Sequence, residues 1–378
     1  MSTVTEASTP AGAATDAASS AAVTTDASLP PSADDRRAKR ARLLALLDEH
    51  GADSLMLRSH GAVSWYLDGI RTHVSHAGDP VVAVVVDRSA DEIRIFANEA
   101  DRIADEELGG FDRASVHAVP WFEPLAPAGV AALDEAEVAA ELRAARASLL
   151  PAERERFRRL GRASAEVIGR VAADVEPDWT ERRAAAALAA GLVERGIDPL
   201  VVLVAGASRL AHRHPLPTDA PLGRRAMLVV CGRRHGLIAN VTRWVGFGDA
   251  GEGAPDRERR ILEVERAFLE ATTPGARLGD VFAAGVAAYA DQGFDAAEWR
   301  RHHQGGAAGY VGRDPRAVPG VDDVVHAGQA FAWNPTAPGA KVEDTLVRDA
   351  DGFEVLTVDP AWPTIEVGGL PRPLALMR

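Results

Sequence analysis

The sequence predicts an α+β protein of two globular domains, and three observations carry that prediction. The chain has 378 residues, 47% of them hydrophobic, enough to bury at least one full core and to fill two. Between residues 36 and 150, short apolar runs alternate with helical periodicity. After Gly196 the pattern changes to β-rich runs separated by Gly or Arg turns, followed by two long helices.

Residues 1–35 are mostly Ala, Ser, Thr, Pro and Asp, with too few large apolar side chains to offset the entropy of ordering, so a disordered tail is expected. Its acidic charges argue against a transit peptide. A helix is expected from about Arg36, with Leu43, Leu44, Leu46 and Leu47 on one face and Gly51 at its end. Strands at 54–57, 81–86 and 93–96 and helices at 100–108 and 131–149 then make a smaller α/β N-terminal domain over 36–150. Pro151, with Glu153 in the same turn, restarts a helix, and another runs over 180–194. Strands at 201–204, 226–230, 237–239 and 241–245 and helices at 257–272 and 278–292 complete a second domain over 151–378, its helices on one side of an antiparallel sheet. The Arg233-Arg234-His235 run reads as an exposed hairpin tip. Trp65, Trp121 and Trp244 read as core or pocket wall, and Gly275 as a helix-ending turn.

Charge and cysteine usage exclude several classes. With 42 basic against 55 acidic side chains and a net charge of −13, the surface does not suit nucleic acid. No apolar run reaches the roughly eighteen residues of a membrane helix. Cys231 is the only cysteine, so no internal disulfide forms, and a reducing, cytoplasmic location is expected. A thiolate zinc site is excluded too, leaving His, Asp and Glu as possible ligands for any metal.

Six of the eleven histidines fall between residues 212 and 326. His214 lies in an irregular segment before the strand at 226–230, where a loop residue is aimed across a sheet. His302 and His303 precede Gln304-Gly305-Gly306, a glycine-rich stretch that lets backbone approach a ligand closely. Imidazoles titrate near neutral pH and suit proton transfer.

At these residues a resemblance emerges. His214, the strand ending in Cys231-Gly232, Asn240 to Arg243, His302/His303 with Gly305, Gly309, Gly312 and Arg313, Trp333-Asn334-Pro335 and Val342-Glu343-Asp344 together resemble the pita-bread fold. That fold is shared by methionine aminopeptidase, prolidase, Xaa-Pro aminopeptidase and creatinase. The resemblance covers about residues 150–360, and residues 36–150 fit the N-terminal domain of the prolidase and creatinase branch. It implies a family centre of two metals held by Asp, Asp, His, Glu and Glu. Here Cys231, Asn240, Gly306 and Asn334 stand at four of those positions, and Glu343 alone survives. One carboxylate beside amide and thiol groups does not supply the charge two divalent ions need. No catalytic metal and no cofactor are therefore expected.

The departures resemble creatinase, which also has a cysteine at the first aspartate position, a catalytic histidine matching His214, and an arginine matching Arg313 that holds the substrate carboxylate. Its guanidinium-binding glutamates correspond to neutral Thr242 and Asn334, so creatine itself is not the expected substrate. The resulting expectation is a metal-independent hydrolase of a non-peptide C–N bond in a small carboxylate-bearing molecule. His214, His302 and Glu343 would be catalytic, and Arg313, Asn334, Thr242, His303 and Gln304 would bind substrate. Asp344 is a further candidate anion, and the role of neighbouring Lys341 stays open. Alternatives are a lyase or isomerase using the same site, an inactive binding module, and an Xaa-Pro-type metallopeptidase using His302, His303 and Glu343. The resemblance also implies a homodimer.

Overall fold

The computed structural model describes residues 33–109, 115–126, 132–248, 251 and 253–378. The expected tail lies outside these residues except for its last three, which already belong to a helix. That helix, α1 (Ala33–His50), carries Asp34 and Asp35 in its first turn, where the helix dipole favours acid, and buries Leu43, Leu46 and Leu47. Next come β1 (Ser54–Leu57), α2 (His60–Tyr66), β2 (Val82–Asp87), β3 (Asp91–Phe96), α3 (Ala100–Glu106), β4 (Val116–Val119), β5 (Leu133–Asp134) and α4 (Ala139–Ala147). The strands form one sheet in the order β4-β3-β2-β1-β5.

Three expectations need correction in this region. The helix predicted over 131–149 begins only at Ala139, because Leu133 and Asp134 instead pair in parallel with Leu55 and Met56 and extend the sheet edge. Tertiary pairing here overrides an alanine-rich helical pattern. The short α2 was not predicted; the Ser59 hydroxyl caps it by accepting from the Ala62 N–H at 3.2 Å. Trp121 is 71% exposed rather than core, whereas Trp65 and Trp244 are buried as expected.

The second domain is built from two helix-pair-on-sheet halves. In the first, α5 (Pro151–Asp174) and α6 (Glu181–Val193) cover β6 (Asp198–Ala205), β7 (Arg225–Arg234) and β8 (Leu237–Gly246). The Thr180 hydroxyl caps α6 by accepting from the Arg183 N–H. In the second, α7 (Ala254–Ala271) and α8 (Leu278–Asp291) share a core with β9 (Gly305–Ala308) and β10 (Gln329–Trp333). There follow β11 (Thr336–Ala337), β12 (Ala340–Lys341), β13 (Leu346–Arg348), β14 (Phe353–Val355), β15 (Thr364–Val367), β16 (Leu370–Pro373) and β17 (Leu376–Met377). The two main sheets run β17-β8-β7-β6 and β14-β13-β10-β9. They meet where the Thr242 N–H donates to the Glu343 carbonyl at 3.0 Å, and this junction positions the site. β8 is one unbroken, fully buried strand, not the two runs expected on either side of Asn240, which pairs in register with Cys231. No helix of the described residues is long and apolar enough to cross a membrane.

The two domains are welded by buried charge. Lys39 Nζ lies 2.5 Å from Asp68 Oδ1 and 3.0 Å from Glu153 Oε1, and the Tyr310 hydroxyl donates to the same Glu153 oxygen at 2.7 Å. The β7–β8 tip joins this interface instead of standing exposed. His235 and Gly236, at φ 52° and 73°, form the two-residue turn favoured by strand twist. A Cβ at Gly236 would come within 2.6 Å of Ser64 Cβ on α2, so only glycine allows the tip to dock.

Candidate active site

Three histidines converge at the sheet junction. His302 Nε2 lies 3.0 Å from His214 Nε2, and His303 stacks on His302 with ring centroids 4.4 Å apart. His214 comes from the irregular segment between β6 and β7, and the other two from the turn before β9. An ion pair between the neighbouring residues Arg213 and Glu298, the latter 2% exposed, pins the two segments together. Sequence reading missed that pair, and nothing in its spacing announces it.

Glu343 is the anionic centre. Arg313 Nη2 donates to its Oε1 at 2.5 Å, Thr242 Oγ1 to its Oε2 at 2.9 Å and Asn334 Nδ2 to Oε1 at 3.4 Å, while Lys341 Nζ lies 3.4 Å from Oε2. Burial alone would raise its carboxyl, but Lys341 and Arg313, with hydrogen bonds from Thr242 and Arg313, outweigh burial and hold it down to about 2. The imidazoles move the other way from charge. Burial first, then Lys341, lowers His302 to about 2, and burial followed by Arg313 and Arg316 lowers His303 to about 3. His214, the most exposed of the three, is lowered by its partial burial and by Lys341. All three are neutral at pH 7, so each ring offers one donor and one acceptor nitrogen.

His214, His302, His303, Thr242, Arg313, Asn334 and Glu343 are thus brought together, with Cys231 beside Glu343, Arg313 and Lys341. Two expected residues are not part of the lining. Gln304 is fully buried, accepts from the Tyr289 hydroxyl at 2.6 Å and donates to the His302 carbonyl at 2.6 Å, so its amide supports the turn beneath the histidines and does not face substrate. Asp344 faces away, accepting from Arg243 Nη2 at 2.8 Å and lying 2.9 Å from Arg372 Nη2. Lys341 is the residue underread: residues two apart in extended chain share a face, so Lys341 belongs with Glu343 and Asp344 opposite.

The metal set implied by the resemblance does not fit these residues. Burial foremost, with Glu343, pushes the Cys231 thiol up to about 12, so although the residue keeps some exposed surface no thiolate is on offer. The Asn240 amide donates to the Ile238 carbonyl at 3.4 Å. At Gly306, φ is 142° and a Cβ would meet the Pro315 carbonyl oxygen at 2.6 Å, so no side chain can project there. Asn334 is neutral and Glu343 is engaged by two cations. What remains is imidazole: His214, His302 and His303 offer ligand atoms within 4.8 Å of one another, a spacing that could hold a single ion. A second group, His73, His76 and Asp198, already surrounds the Arg233 guanidinium, 2.9 Å from His73 Nδ1 and 3.0 Å from Asp198 Oδ2.

The sequence profile of metallopeptidase family M24 matches residues 155–350, just over half of the chain, and the chain belongs to that family of peptidase-type hydrolases. The dipeptidase PepE from Mycobacterium ulcerans aligns at 21% identity and a TM-score of 0.69, covering 91% of this chain and 99% of that one. The prolidase from Pyrococcus horikoshii OT3 aligns at 15% identity and a TM-score of 0.68, covering 85% and 98%. The N-terminal domain of FACT complex subunit SPT16 from Cicer arietinum (chickpea) aligns at 13% identity and a TM-score of 0.64, covering 86% and 97%. At these identities the likeness is one of fold, and a fold does not by itself fix an activity. No curated protein matches the chain.

Proposed function

We propose that this chain hydrolyses an amide-type C–N bond in a small carboxylate-bearing substrate, with His214 moving the proton and Arg313 holding the carboxylate. The observation that carries the reading is the charge of the site. A buried cation, Lys341, and a partly buried one, Arg313, face one carboxylate, Glu343, beside neutral imidazoles. Arg313 spends Nη2 on Glu343 and Nη1 on the Gly312 carbonyl, while its buried Nε has no partner. A donor therefore remains for a substrate oxygen.

His214, neutral at pH 7, takes a proton from the attacking water and returns it to the leaving nitrogen; His302, 3.0 Å away, holds its ring. Among small carboxylates, Xaa-Pro dipeptides rank first, because prolidases and dipeptidases with the same fold align over nearly their whole length. This places them ahead of the non-peptide compounds that the creatinase resemblance suggests. The SPT16 likeness favours a second reading, a binding module without turnover. Cys231 has no second cysteine to pair with, which suits a reducing cytoplasm. A homodimer, as the resemblance implies, is part of the proposal.

Purified protein is assayed against Xaa-Pro dipeptides and N-carbamoyl amino acids with product analysis, which separates hydrolysis from elimination. His214→Ala is expected to lower kcat by roughly 10²–10⁴. Turnover that survives this substitution removes the acid–base assignment, and no turnover of any member of the panel favours the binding module.

A further inference from the structure

The misfit between this site and a dinuclear metal centre has a constructive side. Lys341 is 5% exposed, its ammonium lies 3.4 Å from Glu343, and its charge disfavours protonation of the neighbouring histidines. Four buried polar atoms of the same site have no partner: His302 Nδ1, His303 Nδ1, Arg313 Nε and Asn334 Oδ1. Unmet buried hydrogen-bonding groups carry a penalty of their own and mark the place of an absent polar ligand. Their chemistry points to an anion. The arginine Nε donates, His302 Nδ1 donates in the tautomer whose Nε2 accepts from His214, His303 Nδ1 donates in its corresponding tautomer, and the only fixed acceptor is the asparagine oxygen.

We infer that Lys341, together with Arg313, takes over the electrostatic work of the missing metals, so that the centre binds an oxyanion where its family would bind divalent cations. The inference rests on the hydrolase reading only for its catalytic half. As water adds to the substrate carbonyl, its proton passes to His214, the new C–O bond forms, and the carbonyl π pair moves onto oxygen. The resulting oxyanion is met by the Lys341 ammonium. When the C–N bond breaks, the proton on His214 passes to nitrogen and the oxyanion collapses back to a carbonyl. No metal and no external co-reactant enter the balance.

The probe for binding is inorganic phosphate, titrated calorimetrically into the full chain, and the competing probe is Zn²⁺. The native protein is expected to bind phosphate, and Lys341→Met to weaken it by about 10–100-fold, the loss of one charge-assisted hydrogen bond. Lys341→Arg keeps the charge and is expected to bind phosphate more tightly than Lys341→Met, and a urea unfolding midpoint of the methionine variant close to native controls for its misfolding. If a dipeptide is turned over, Lys341→Met lowers kcat by roughly 10²–10³ with little change in KM, the signature of a contact made only in the transition state. Phosphate affinity indifferent to Lys341→Met overturns the proposal. So does stoichiometric Zn²⁺ binding that disappears in His302→Ala, which would make the histidine cluster a metal site. Phosphate binding through Lys341 without turnover of any substrate would leave this inference standing and remove the hydrolase reading.

Discussion

Acid should destabilise this protein through its histidines before its carboxylates protonate. His302 and His303 stand at about 2 and about 3 in the folded protein against 6.5 when free, chiefly because they are buried. A lowered folded value means the native state refuses protons that the unfolded chain accepts. The two histidines therefore leave stability unaffected above pH 6.5, and below it each favours unfolding by about 1.4 kcal/mol per pH unit until its folded value is reached. At about pH 5 that amounts to ~2 kcal/mol apiece. Solvent screening of two incompletely buried rings brings the joint effect to roughly 2–4 kcal/mol, a large part of the 5–15 kcal/mol typical of a folded domain. Urea unfolding at about pH 7.5 and about pH 5 measures it. His73 is also lowered, to about 4, mainly by burial and then by Arg233, so the double variant His302→Gln/His303→Gln is needed to isolate the pair. It should remove most of the acid-induced loss attributable to the pair. An identical loss in the native chain and the double variant would refute the assignment of neutral, proton-refusing imidazoles.

Three further outcomes follow from the same geometry. Arg313→Ala should raise KM for a carboxylate substrate at least about tenfold with a smaller effect on kcat, and an unchanged KM would show that the guanidinium serves Glu343 alone. Lys39→Met leaves the Asp68 and Glu153 carboxylates buried without their ammonium and should cost about 3–5 kcal/mol in denaturant unfolding, while a loss below ~1 kcal/mol would mean that Arg156 and Tyr310 suffice. Gly306→Ala should destabilise by roughly 1–3 kcal/mol, since the added Cβ meets the Pro315 carbonyl at 2.6 Å; a neutral result in thermal unfolding would show that the segment can yield.

Sequence reading picked out residues that the fold brings together because they sit at fixed places in a fold whose motif order is specific. His214, His302, Arg313 and Glu343 are far apart in the chain, yet each falls on a segment that the two half-sheets bring to one junction. It failed where polarity had to stand in for direction. Gln304 and Asp344 are polar neighbours of residues that converge at the junction, but one is turned beneath the turn and the other lies on the opposite face of an extended segment. Strand alternation, applied to residues 341–344, would have exchanged Asp344 for Lys341. The hairpin tip misled in a different way: arginines and a histidine look solvent-bound, yet the run covers a domain interface, where Arg233 packs its long stem while its head reaches His73 of the N-terminal domain at 2.9 Å. Arg213 and Glu298 carry no local pattern at all, since their pairing exists only once the loop before β7 and the turn before β9 are folded together.

The division between Glu343 and Asp344 explains how such a site can change its chemistry without losing its fold. Asp344 belongs to a buried network with Arg243, Arg372 and Thr357, and Arg372 in turn pairs with Glu265 on α7, so these charges hold strand and helix together behind the site. None of these groups touches the histidine cluster. On the other face, Cys231 pairs with Asn240, Thr242 donates to the Glu343 carbonyl and Asn334 to the Gln304 carbonyl, all backbone contacts that do not depend on side-chain charge. On the proposed oxyanion reading, a face with few acids beside Lys341 and Arg313 would shift the local charge from one that attracts divalent cations to one that repels them, at little expense to the scaffold. Two doubly charged ions beside Lys341 and Arg313 would find a single carboxylate already held by both, whereas the proposed oxyanion would complete the charge balance of the site.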